Sequence, residues 1–224
     1  MTEYDSLLQR VLEPEVMDSA EEAQDYNRMD HKTVNDLFVK DLIAAGYAGG
    51  DTLDVGTGTA LIPIELARTV GECRIMATDL AAHMLDLAKL NVGVAGLADK
   101  IQLSQVDAKQ LPFSDAMFDT TLSNSIIHHI PDPLPCFREA VRVTKAGGLL
   151  FFRDLVRPFD EQQVQQLVEL YAGNENRHSQ QMFADSLHAA LSLSEVRSLI
   201  SQLGYPQESV QQTSDRHWTW VARR

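Results

Sequence analysis

A chain of 224 residues, 44% of them apolar, can build one α/β domain with a sizeable core and is too apolar to be disordered. The net charge of −13 is spread along the chain with no lysine- and arginine-rich cluster, which argues against a nucleic-acid partner and for a small molecule. No apolar run approaches the roughly 20 residues of a membrane span, and the acidic start at 1–5 lacks the apolar region of a signal peptide. Cys73 and Cys136, the two cysteines, are expected to be reduced packing residues in a cytoplasmic protein.

In chain order, residues 1–45 read as mostly helix. Val34, Leu37, Phe38 and Leu42 recur at three- and four-residue spacing, and Gly46 is a stop. The period then changes. Short β-prone runs at 52–56, 74–79, 101–107, 118–125 and 148–155 alternate with helical stretches at 60–70, 81–92 and 133–145. Such alternation predicts parallel βαβ units, whose right-handed crossovers put every strand's carboxyl end on the one edge where ligands bind. Further on, 161–171 reads as helix, 173–177 as a polar break, and 194–203 as a helix stopped by Gly204. Ser194 is the expected N-cap, with Arg197 rather than a glutamate at the third helical position. Residues 208–213 and 217–223 read as a hairpin around 214–216.

The predicted fold is thus α/β: a doubly wound, mostly parallel, Rossmann-like sheet of seven strands, with a C-terminal antiparallel hairpin and an N-terminal helical extension. It is expected as a single domain, with a helical cap at 1–45, a cofactor-binding core at 46–156, a substrate-side insert at 157–192, and a C-terminal helix and hairpin at 193–224.

The run Leu53-Asp54-Val55-Gly56-Thr57-Gly58-Thr59-Ala60 carries most of the functional information. A strand ends in a glycine-rich turn and feeds into a helix, so bare N–H groups and a positive helix end meet a nucleotide-like ligand. Leu61 stands where a dinucleotide fingerprint needs glycine, and no P-loop lysine is present. Asp79 lies 21 residues past Gly58 at the end of the next strand, where a carboxylate can hold both hydroxyls of a ribose or cap the following helix.

Four blocks in order, at 53–60, 78–84, 106–113 with 118–132, and 142–155, resemble class I S-adenosylmethionine-dependent methyltransferases acting on small molecules. Ala60 replaces the third glycine that such families often show. The resemblance implies S-adenosyl-L-methionine as cofactor. It places Asp54 near the methionine ammonium, Gly56, Thr57 and Gly58 along the methionine and ribose, and Asp79 on the ribose. Leu80 and Met84 would pack on sugar and adenine, Asp107 and the Ala108 N–H would read the adenine, and Asn124 and Ser125 would flank the methionine part. Tyr26 and His31 are candidates to fold over the cofactor.

Two further residues are candidates for chemistry. His128 is a candidate general base. Asp154, at the end of the fifth strand, is a candidate for binding an amine or removing a proton. Two adjacent histidines cannot both face one metal from a helix and no third ligand is near in sequence, so no metal is expected. The expected partner is a small methyl acceptor, bound by a monomer or homodimer. A nicotinamide-dependent oxidoreductase and a binder of the nucleoside without turnover are the rival readings.

Overall fold

The computed structural model describes residues 8–14, 19–28 and 32–224. The elements are α1 (Ala20–Arg28), α2 (Lys32–Ala44), β1 (Gly50–Val55), α3 (Leu61–Thr69), β2 (Cys73–Asp79), α4 (Ala82–Ala95), β3 (Ile101–Gln105), β4 (Phe118–Asn124), α5 (Leu134–Val143), β5 (Thr144–Leu155), α6 (Glu161–Ala172), α7 (Arg177–Ala189), α8 (Leu193–Gln202), β6 (Val210–Gln212) and β7 (His217–Arg223). Seven strands form one sheet in the order β3-β2-β1-β4-β5-β7-β6. β1 pairs in parallel with β2 and with β4, and β2 with β3, whereas β6 and β7 are antiparallel. This is the doubly wound sheet read from the sequence. Its strand order reverses between β1 and β4, so a crevice opens at their carboxyl ends.

The chain divides into two compact units. One holds the described residues of Val16–Asn124 with Pro133–Phe152 and Val221–Arg224. Its core joins Phe38 and Leu42 of α2 to Leu66 of α3, Ile75 of β2, Leu122 of β4 and Phe151 of β5. The Phe38 and Phe151 rings meet edge to face at 5.1 Å. Each such side chain contributes about 1.5–3 kcal/mol by leaving water, which fixes the helical register of α2.

The other unit holds residues 8–14, Ser125–Asp132 and Arg153–Trp220. Residues 157–192, expected as an insert, form α6 and α7, which pack through Val164, Leu167 and Leu187 on Leu155 and Ala190. Asp160 and Asn176 cap these helices by accepting from the Gln163 and Ser179 N–H groups.

Three sequence expectations need correction. Residues 8–14 are not helical: the Leu8 and Val11 N–H groups donate instead to the carbonyls of Phe159 and His188. The cap of helix α8 lies two residues before the expected one; Ser192, not Ser194, is its N-cap, and Glu195 closes a full capping box. That register wins because Ser192 and Glu195 satisfy each other's N–H groups while Glu195 also receives Arg157 Nη2 at 2.9 and 3.0 Å. Helix α3 starts at Leu61 rather than at Ala60, since Ala60 is held at φ 62° as its N-cap.

Candidate functional site

The turn after β1 is shaped by its main chain. The Gly56 and Thr57 N–H groups both donate to the Thr78 carbonyl at 2.8 Å, which ties the turn to the end of β2. Gly56 and Gly58 have φ of 73° and 56°, a region that favours glycine. A Cβ on Gly58 would stand 3.7 Å from Tyr26 Cε1, so the tyrosine ring covers the turn. Tyr26 belongs to α1, and Asn91 of α4 anchors that helix. Asn91 Nδ2 donates to Asn27 Oδ1 at 2.8 Å and to the Thr59 carbonyl at 2.9 Å.

A cleft of about 330 Å³, counting its open mouth, lies here, lined by Tyr26, Asp54, Gly56, Thr57, Thr59 and Asn124. Asn35 of α2 also lines it, a contact that no motif announces. The Thr59 hydroxyl is buried without a hydrogen-bond partner. Burial pushes the Asp54 carboxyl up to about 7; the Thr57 hydroxyl opposes this and the Asp79 charge adds to it. Burial, with the same two carboxylates, also pushes the Tyr26 phenol up to about 12, so it stays a neutral donor.

Asp79 ties the turn after β1 to the start of α4. Its Oδ2 accepts from the Gly58 N–H at 2.8 Å and its Oδ1 from the Ala81 N–H at 2.9 Å. Leu80, beside it, is 37% exposed, while Met84 is buried with Ala23, Ala81 and Tyr26, a packing role under α1. Asp107 follows β3, where it accepts from the Lys109 N–H and pairs with Lys109 Nζ at 3.1 Å. Ala108 is half-buried in the same turn. His31 lies outside the described residues.

Ser125, next in the chain after Asn124, is held at φ 59° and its N–H donates to the Arg153 carbonyl. It opens the segment that carries His128 within the second unit. His128 is buried, with Nδ1 2.5 Å from Asp154 Oδ1 and Nε2 3.5 Å from Glu13 Oε1. Asp154 also accepts from the Ile127 and Leu155 N–H groups. Burial alone would lower the His128 pKa, but Asp154 and Glu13 outweigh it and hold the ring above its ordinary value. Burial alone would likewise raise Asp154, but His128 and the N–H donors hold it below the carboxylate range. Both His128 nitrogens therefore face carboxylates of the protein itself.

The residues that sequence reasoning missed are Arg10 and Glu13. Arg10 donates to the carbonyls of His128, Ile130, Pro131 and Ala189, fastening the N-terminal stretch to the 127–131 turn. The two histidines sit on a 3-10 turn, Ile127–His129, rather than an α-helix, and their rings lie 4.2 Å apart. Against expectation, both turn toward one acid, with His129 Nδ1 3.2 Å from Glu13 Oε1. No spacing signal reveals this, because Glu13 is distant in sequence. In the final hairpin, Trp218 is fully buried and Arg216 stacks 3.3 Å over the Tyr171 ring.

Residues 53–152 match the family described as "Methyltransferase domain". A demethylmenaquinone methyltransferase of Desulfitobacterium hafniense is 35% identical over 111 residues, 49% of this chain and 44% of the relative. A 27-O-demethylrifamycin SV methyltransferase of Amycolatopsis mediterranei is 27% identical over 181 residues, 79% of this chain and 62% of that protein. The chain thus spans less than two thirds of the length of these relatives. A solved SAM-dependent methyltransferase from Aquifex aeolicus shares the fold at a TM-score of 0.68, with 19% identity, covering 91% of this chain and 97% of that one. Sheet order, the turn after β1 and the acid at the end of β2 accord with these similarities: residues 53–152 resemble a methyltransferase domain, on a fold shared with a solved SAM-dependent methyltransferase.

Proposed function

We propose that the protein transfers a methyl group from S-adenosyl-L-methionine to an O, N or C atom of a small molecule by in-line displacement. The observation that carries this reading is the cleft at the β1–β4 switch point, where Asp79 braces the Gly58 N–H and a buried Thr59 hydroxyl has no partner. The residues present fit the cofactor. Asp54 would pair with its ammonium and Asp79 with its ribose. Tyr26 would cover the turn, while Gly56, Thr57 and Gly58 let the main chain approach. Leu80 and Asp107, with the Ala108 N–H, would hold the sugar and adenine, and Asn124 and Ser125 the methionine part. Met84 would support the adenine side by packing under α1.

When bound, the sulfonium supplies an activated methyl group, so positioning and exclusion of water are the protein's main tasks. Orientation of that kind can lower a barrier by roughly 7–11 kcal/mol. His128 and Asp154 would serve as positioning residues for the 127–130 turn. Their polar atoms already face each other, Glu13 and main-chain N–H groups, which argues against the direct proton transfer expected from the sequence. A small acceptor accords with relatives named for a menaquinone precursor and a rifamycin.

Calorimetric titration with S-adenosylmethionine, followed by measurement of S-adenosylhomocysteine release over a metabolite panel, tests the proposal. Micromolar binding with turnover of at least one metabolite is expected. Absence of binding at high micromolar cofactor would overturn it, and binding without turnover would reduce the protein to a sensor of the nucleoside.

A further inference from the structure

Outside the cleft, Glu13, His128 and His129 each turn one donor atom toward a common point, and those atoms lie within 4.8 Å of one another. Glu13 Oε1 is 3.2 Å from His129 Nδ1 and 3.5 Å from His128 Nε2. A tetrahedral ion with bonds of about 2.0–2.2 Å spaces its ligands about 3.3–3.6 Å apart, close to the two separations from Glu13; the two histidine nitrogens, within 4.8 Å of each other, would draw together on the ion. Glu13 Oε1 and His129 Nδ1 are buried, and neither has a partner of hydrogen-bond geometry. Two such buried atoms facing each other are unfavourable unless a third group satisfies both.

The geometry points to a site for one zinc-class divalent cation, held by Glu13 Oε1, His128 Nε2 and His129 Nδ1 with a fourth position open to water. Two imidazoles and a carboxylate are a donor set that such ions accept. The surroundings fix the required tautomers. Asp154 Oδ1 receives the His128 Nδ1 proton at 2.5 Å, which frees the Nε2 lone pair, the usual carboxylate–histidine–metal relation. The His129 ring hydrogen-bonds the Pro14 carbonyl; with Nδ1 unpartnered, that bond falls to Nε2 and leaves the Nδ1 lone pair for the ion. Arg10, the nearby cation, donates to main-chain carbonyls and leaves the Glu13 carboxylate unmatched by a guanidinium contact. The ion would clip the 8–14 stretch to the 127–130 turn.

This inference does not rest on methyl transfer, and its test needs no methyl donor. The full chain, free of any histidine tag and stripped with a chelator, is titrated with Co²⁺ and then Zn²⁺. One equivalent of Co²⁺ should develop the visible bands of tetrahedral coordination, Zn²⁺ should displace it, and Tm should rise with added metal. Glu13→Gln and His129→Gln, each checked by circular dichroism, should weaken Co²⁺ binding more than about tenfold, and Asp154→Asn about 10–100-fold. Absence of the bands in the unaltered protein overturns the site even if a variant fails to fold. Binding that persists undiminished in both Glu13→Gln and His129→Gln also overturns it, as adventitious capture by other histidines.

Discussion

Around Gly58 the main-chain N–H groups expected to be bare are taken up by the Thr78 carbonyl and by the Asp79 carboxylate, 21 residues away in sequence. Around His128 the protein gathers side chains from positions 10, 13, 129 and 154. The first arrangement leaves side-chain polarity unmet: the Thr59 hydroxyl has no partner and burial pushes the Asp54 carboxyl up to about 7. In the second, Asp154 and His128 satisfy each other and several N–H groups, and only the Glu13–His129 contact stays incomplete. Both places keep some valences open, but the second closes most of them internally.

Substitutions at the two places should separate these roles. The largest effect is expected from Asp154→Ala, which strands a buried imidazole and two N–H groups. Guanidinium unfolding should show a loss of about 3–5 kcal/mol, the usual cost of removing one partner of a buried pair. A loss below about 1 kcal/mol would show that the cluster is not structural. Asp79→Asn should weaken S-adenosylmethionine binding about 10–100-fold in calorimetry, because hydrogen bonds to a charged group contribute about 1.5–3 kcal/mol. Unchanged affinity there would take the ribose away from β2.

The electrostatics of the cleft give a smaller, graded effect. If Asp54 receives an ammonium, only its ionised form binds well. Its pKa of about 7 in the free protein then predicts cofactor affinity that is flat just above pH 7. Affinity should fall up to about tenfold per unit as pH drops from 7 toward 5. Asp54→Asn should abolish that slope, and a slope that survives would exclude Asp54. For folding the sign is reversed: its folded pKa lies above the unfolded value of about 3.9, so its favourable contribution exists at low pH and is lost as pH rises through 7. The smallest effect tests a locally encoded feature of the second unit. Ser192→Ala should cost about 1 kcal/mol in unfolding experiments by removing the α8 cap, while Ser194→Ala should cost much less.

The sequence by itself determined the alternation of strands and helices, the glycine turn after β1, the acid ending β2 and the C-terminal hairpin, because each is written in neighbours along the chain. Short-range periodicity and turn chemistry act over a few residues, and right-handed crossovers leave few ways to join such units. Even the α8 cap was local, missed only because Ser194 was read in place of the Ser192–Glu195 pair. Tertiary structure alone decided the rest. Tyr26 reaches Gly58 because Asn91 anchors α1 to the start of α3, and His128 and His129 meet Glu13 because Arg10 ties a non-helical stretch to their turn. Those contacts join positions tens to more than a hundred residues apart, where loop closure and packing, not local propensity, select the partner.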